Sequence, residues 1–416
     1  MIGKIITWMG LILLTACAVK EDPFMQPMFG DVPAAYSSVQ SASSKIAVLL
    51  PLSGKAKNIG ADMKKAAMMA EFDKRMQGVA VVFYDTMGTP EGAQKAYEDA
   101  MAIKPSVVVG PVFSSETETL KEEGVDVPVI SFTSDDAAVG DEVYTLALMI
   151  PNQIERIVEH TCQAGRRKIA LIGPENRVGE IVLNSLEKAI ETCPEMEVVG
   201  VSLYNPKTIN FDPVIAKIAP QPIDSRKKDL TDEEKELLAK PITEKVNFDT
   251  LLVFEDGVKL QQVMSMLTYY DVTPDQIPTY GLASWGNVKM NELVGGYYPA
   301  MPSKWYTDFA GRFKRNFDTK PSPLAAYAYD AVSLGILLGE SKLMTANVLE
   351  NPQGYDGVNG RFKLNSNGTN TRLLDMIQVV SKNRSVVVDE APEHMPAREP
   401  VGFFGKKTQI SQENAN

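Results

Sequence analysis

Between residues 45 and 284 the chain alternates short runs that are apolar at nearly every position with segments patterned as amphipathic helices. The first run, residues 45–50 (KIAVLL), ends in Pro51-Leu52-Ser53-Gly54. A helix follows from about Ile59, with Ile59, Met63, Ala66, Ala67 and Ala70 on one face. VAVVFY (79–84), a helix over 90–103, SVVVG (106–110), a helix from Ser115 and PVISF (128–132) continue the pattern. A strand that is apolar on both faces has to be covered on both faces, as in a parallel sheet flanked by helices. Alternation of this kind predicts a doubly wound α/β lobe.

A second set begins after Pro151. A helix over 152–164 precedes KIALIG (168–173), a helix over 178–192, VVGVSLY (198–204), DTLLVFE (249–255), a helix over 257–270 and PTYGLAS (278–284). Two such lobes in series predict a hinged cleft, with ligands at the C-terminal ends of the strands. An insertion at 221–246 interrupts the second lobe and carries eleven charged residues within 222–240. Thr231 and Glu234 there form a capping box that predicts a short exposed helix over 232–240, read as a solvated excursion or, alternatively, a docking surface for a protein partner.

The first residues place the chain outside the cytoplasm. One charge, Lys4, precedes an apolar run of about ten residues, half of what a bilayer-spanning helix needs. Leu14-Thr15-Ala16-Cys17 follows and resembles the bacterial lipobox. That resemblance implies removal of residues 1–16 as a signal peptide and acylation of Cys17, and Ala18 after it favours the outer membrane, with the domain facing the periplasm. Three acyl chains suffice for stable anchoring. Residues 17–44 then form the lipidated cysteine and a Pro- and Ser-rich flexible linker, with a coil-like reach of about 30 Å. Residues 391–416 are expected to be a disordered tail. The remaining two cysteines, Cys162 and Cys193, are a candidate disulfide in an oxidising compartment.

Charge and motif content exclude several functions. A formal net charge of −11 argues against a nucleic-acid partner, since phosphate binding needs a basic face. The two histidines, His160 and His394, are placed on a helix away from any strand end and in the tail, where neither serves as the base of a nucleophile. There is no P-loop, no dinucleotide fingerprint and no metal-ligand spacing, so no cofactor, metal or catalytic residue is expected.

KIAVLLPLSG, VVVGPVFSSET, VPVISFTSDD, GRRKIALIGPENRVGE and YAYDAVSLGILLG fall in the order found in type I periplasmic binding proteins, the family of the leucine/isoleucine/valine-binding protein. The resemblance covers about residues 45–390 and implies three crossings between lobes. It places an N-lobe at 45–150 plus about 282–350, and a C-lobe at 151–281 plus about 351–390. FDTLLVFEDGVKLQQVMSMLTYYDVTPDQIPTYGLASW and GYDGVNGRFKLNSNGTNTRLLDMIQVV look more specifically like the C-terminal domain of outer-membrane lipoproteins that activate penicillin-binding proteins. The helical-repeat domain that the best-known members carry before this domain has no counterpart between Cys17 and Lys45.

For a cleft ligand the candidate residues are Ser53, Gly54, Ser114, Ser115, Ser131, Thr133, Glu255 and Trp285. Ser115 and Glu118 read as a capping box whose helix N-terminus could take an anion. Where amino-acid-binding relatives supply an acid for the ammonium group, the loop here reads GLASWGN, and where they close an aromatic over the ligand this chain has Val178. Glu255 or Asp256 is the candidate substitute. The resemblance therefore implies a non-enzymatic regulator whose partner is a peptidoglycan synthase. The alternative is the solute-binding receptor of an ABC-type importer for amino acids or a related small ligand. The anchor is tested by Cys17→Ala, which is expected to release the protein from membranes or to stall its processing. Retention of the variant on membranes after a carbonate wash would show that Cys17 is not the anchor.

Overall fold

The computed structural model describes residues 44–74, 79–340 and 346–395. Cys17, the signal segment and the linker up to residue 43 lie outside the described residues, as does the tail from 396.

The N-lobe begins with β1 (Ser44–Leu50), α1 (Lys57–Lys74), β2 (Val79–Asp85), α2 (Pro90–Met101), β3 (Val107–Val109), α3 (Ser114–Glu123), β4 (Val129–Ser131) and β5 (Val143–Thr145). The five strands form a parallel sheet in the order β2-β1-β3-β4-β5. The central strand shows why its sequence is apolar throughout. Ile46, Val48 and Leu50 pack on one side with Met63, Ala66 and Ala67 of α1, while Ala47 and Leu49 pack on the other with Ala96, Tyr97 and Ala100 of α2. All five strand residues are fully buried, the Ile, Val and Leu side chains each contributing about 1.5–3 kcal/mol.

The chain then crosses into α4 (Ile150–Gln163), β6 (Lys168–Pro174), α5 (Arg177–Ile190), β7 (Glu197–Tyr204), the single turn α6 (Asp212–Ile215), α7 (Asp232–Ala239), β8 (Thr250–Val253), α8 (Gly257–Tyr269), β9 (Thr279–Tyr280) and β10 (Tyr297–Ala300). It returns as α9 (Ser303–Phe317), α10 (Pro323–Glu340), α11 (Ala346–Leu349) and a three-stranded antiparallel sheet of β11 (Tyr355–Gly357), β12 (Gly360–Leu364) and β13 (Asn370–Arg372). The hairpin β14 (Asp375–Ser381) and β15 (Arg384–Asp389) ends the fold. In the C-lobe sheet the order is β15-β14-β10-β9-β8-β6-β7, parallel from β10 to β7 and antiparallel at the β14–β15 edge. The fold is thus two doubly wound α/β lobes, with an antiparallel hairpin at the edge of one sheet and a small antiparallel sheet that the apolar-run pattern did not anticipate.

Two stretches sit in the opposite lobe from the one expected. Residues 282–300 stay with the C-lobe because β10 pairs with β9 and β14, and because Trp285, Met290 and Leu293 fill the C-lobe core. The second crossing is therefore near 300–302, not at the expected boundary between 281 and 282. Residues 355–372 belong to the N-lobe, where Tyr355, Val358, Phe362 and Leu364 pack against α9 and α10. Asp330 of α10 anchors them, its carboxylate accepting from the N–H groups of Val358 (2.7 Å) and Asn359 (3.4 Å). Burial pushes that carboxyl up to about 7, against the opposing pull of Arg372 and those two donors.

Residues 391–395 are also bound rather than loose. Ala391 N–H donates to Asp375 (2.8 Å), and Arg361 donates to the carbonyl of Glu393 (3.0 Å). Within the insertion, α7 carries reciprocal Thr231–Glu234 capping bonds and no buried residue, while Ile242 after it packs into the C-lobe core.

Cys162, in the last turn of α4, and Cys193, just after α5, are joined by a disulfide with their Cα atoms 5.9 Å apart. The 31-residue separation corresponds to about 3–4 kcal/mol in the chain-entropy estimate. Cys162→Ser with Cys193→Ser should destabilise the C-lobe by about that amount in denaturant titration. Two free thiols in non-reducing peptide maps of the native protein would contradict the pairing.

Candidate functional site

In both lobes the loops that leave the C-terminal ends of the parallel strands are the expected walls of the cleft. On the N-lobe side the turn after β1 holds Ser53 and Gly54. Gly54 sits at φ +72°, and a Cβ there would lie 2.7 Å from the carbonyl oxygen of Met87, so glycine is required for this close approach. Asp85 at the end of β2 organises the turn, its Oδ1 accepting from the N–H groups of Leu52 (2.9 Å), Ser53 (3.1 Å) and Met87 (2.8 Å). Desolvation raises the Asp85 pKa, but the Ser53 hydroxyl and these backbone donors outweigh it and hold the group below its ordinary value.

α3 begins at Ser114, so Phe113 is the N-cap and Glu116, not Glu118, occupies the third helical position. The expected Ser115–Glu118 box is thereby corrected. The Glu116 carboxylate turns back to the N–H groups of Phe113 (2.9 Å) and Val112 (3.2 Å), while Glu118 stays exposed. Burial raises the Glu116 pKa, opposed by Thr86 and by those two donors. The Ser114 and Thr133 hydroxyls bond each other at 2.8 Å, and Thr133 Oγ1 also accepts from Asp135 N–H at 3.0 Å. Ser115 is exposed, whereas Ser131 is fully buried within β4 and presents nothing to the cleft.

On the C-lobe side Asn176 caps α5 by accepting from Gly179 N–H at 3.1 Å. Val178 is exposed. Glu255, after β8, is already engaged, for it accepts from the Tyr204 hydroxyl and from Asp256 N–H. Burial, and after it the hydrogen bond to Glu255, raises the Tyr204 pKa, so the phenol stays protonated as the donor. Trp285 is not a cleft residue. It is buried in the C-lobe core beneath Gly281, where a Cβ would fall within 1.9 Å of the indole. His160 lies inside the C-lobe, its Nδ1 2.9 Å from the Tyr280 hydroxyl.

Three residues outside the sequence-derived set carry a contact between the lobes. Arg177, at the start of α5, reaches Asp135 (2.8 Å) and Asp136 (3.3 Å) in the loop after β4. Both partners lie in quoted motifs, SFTSDD and GPENRVGE, but nothing local in either segment points to the other, 41 residues away.

A sequence model described as periplasmic binding protein matches residues 43–384. Among solved structures the chain is similar to a putative branched-chain amino acid ABC transporter protein from Rhodospirillum rubrum, at 16% identity and TM-score 0.66, covering 83% of this chain and 100% of that one. It is similar to the LpoA C-domain from Haemophilus influenzae, described as a regulator of PBP1A, at 16% identity and TM-score 0.59, covering 83% and 100%. Against full-length LpoA from the same organism the identity is 16% and the TM-score 0.60, with 85% of this chain and 60% of that one covered. No curated protein sequence matches significantly. At these identities the structural likenesses establish the fold.

A free amino acid would need a carboxylate for its ammonium group, because a buried unpaired charge is costly. Of the two candidate acids, Glu255 is held by Tyr204 and Asp256 is exposed to water. Calorimetry against the twenty free amino acids is therefore expected to give no micromolar binding. A micromolar constant that is lost in Glu255→Gln would instead identify a solute site.

Proposed function

Because the chain belongs to the periplasmic binding protein family, we propose that it acts as a non-enzymatic, lipid-anchored regulator that faces the periplasm and engages a peptidoglycan synthase. The observation that carries this reading is the engagement of Glu255 by Tyr204 and Asp256 N–H. With both Glu255 oxygens already accepting inside the lobe and Asp256 exposed to water, neither acid stands as a buried, unshared partner of the kind a zwitterionic solute demands. The likeness to the LpoA C-domain supports the choice of partner class. Cys17, behind its short apolar run, supplies the anchor in this reading, and the linker supplies the reach.

A second reading, the receptor of an ABC-type importer, is favoured by the likeness to the Rhodospirillum rubrum transporter protein. The two readings separate in one pair of measurements. Purified protein is expected to co-precipitate a bifunctional penicillin-binding protein and to raise its rate of glycan polymerisation or crosslinking severalfold. Its melting temperature should move by less than about 1 °C with saturating amino acids. A shift of several degrees together with no effect on any synthase would favour the receptor.

A further inference from the structure

Among the described residues the lobes are tied to each other at the hinge and, separately, between their strand-end loops. At the hinge the ties are buried. Asn152 of α4, in the C-lobe, donates to the carbonyl of Asn370 of β13, in the N-lobe, at 3.1 Å. Asn370 in turn donates to Ala147 at 2.8 Å, and Arg372 donates to Leu146 at 2.9 Å. Arg156 of α4 donates to Leu374 at 2.8 Å. All four side chains are buried. They join the first and third crossings side chain to backbone.

The second tie is the Arg177 contact between the strand-end loops. Its N-lobe half is set in place by its own turn. Asp135 caps a short 3-10 turn, accepting from Ala137 N–H at 3.1 Å, and the Asp136 side chain is only 7% exposed. Little side-chain freedom is left to lose there when the guanidinium arrives. Two adjacent carboxylates repel each other, and one guanidinium between them removes that repulsion. Glu180, one turn along α5, adds attraction for Arg177 from its own side.

We propose that Arg177 and the Asp135–Asp136 pair form a latch that holds the two lobes closed on each other with no ligand in the cleft. The intramolecular carboxylates then take the place that a bound solute takes in a receptor that closes on its ligand, and the resting domain is the closed form. This holds for either partner class and does not rest on the regulator reading. Arg177 is 55% exposed, so the pair is screened, and its removal is expected to shift the open–closed equilibrium by about fivefold rather than to abolish closure.

The test is a distance measurement across the cleft. Spin labels are placed by Glu118→Cys on α3 and Glu187→Cys on α5, both exposed, in the full-length protein in detergent. Pulsed electron resonance of the otherwise wild-type chain, without added ligand, is expected to give one narrow distance distribution. Arg177→Glu should add a second, longer component, and so should 1 M salt. The exchange Arg177→Asp with Asp135→Arg should restore the narrow distribution. A narrow distribution unchanged in Arg177→Glu would overturn the latch, as would a broad one in the wild type. Because the readout is a distance, a failed latch and a failed synthase interaction cannot be confused.

Discussion

Arg372 holds together a domain whose two lobes are each built from non-contiguous pieces of chain. Its guanidinium is buried between the rings of Tyr327 and Phe362, 5.0 and 5.2 Å from their centroids, and donates to the carbonyl of Leu146. A guanidinium taken out of water without compensation would cost several kcal/mol. Here two ring faces, a carbonyl and the nearby Asp330 carboxylate offset part of that cost, while burial still lowers the Arg372 pKa and its Nε and Nη1 have no hydrogen-bond partner among the described residues. Leu146 precedes the first crossing and Arg372 the third, so this one residue sets the spacing of the connections between lobes. Asn370, Asn152 and Arg156 extend the same arrangement, each donating to a main-chain carbonyl. The small β11–β13 sheet is thereby fixed to the N-lobe by Asp330 at one end and to the hinge by Arg372 at the other.

The chemistry of the cleft walls is turned inward. Asp85 is taken by three backbone donors of its own loops, Glu116 by two, and Glu255 by Tyr204 and Asp256. The Ser114 and Thr133 hydroxyls bond each other. A receptor for a charged solute keeps such groups free to meet the ligand, since affinity comes from pairing what would otherwise be unsatisfied. Walls whose acids are largely engaged within the lobe support a domain whose work is done by its shape and outer surface, which is why a protein partner is the preferred reading. The Arg177 contact fits the same picture, because it joins the walls with groups of the chain itself.

Much of the fold was legible because it is written at short range. β1 and β6 are apolar at successive positions because each contacts helices on both sides, and the alternate residues of each fall into different clusters of its lobe. The capping residues of α7 lie three positions apart and were readable as such. The N-cap of α3 lies at Phe113, two residues before the expected Ser115, which moves its capping acid from Glu118 to Glu116. β10 escaped notice because its four residues, YYPA, include Pro299 and show no period.

The sequence by itself determined that two helix-covered sheets form, which faces of α1 and β1 are buried, and that Cys162 and Cys193 are available to pair. Those properties follow from periods of two and 3.6 residues and from simple counts, and neither needs knowledge of a distant segment. Only the tertiary structure decided that residues 282–300 complete the C-lobe sheet, that Trp285 is core, that Tyr204 caps Glu255 from 51 positions away, and that Arg372 reaches Leu146 across 226. Each of these is a pairing between segments far apart in the chain, selected by which strand edge, carbonyl or carboxylate was left to be satisfied once the lobes had packed.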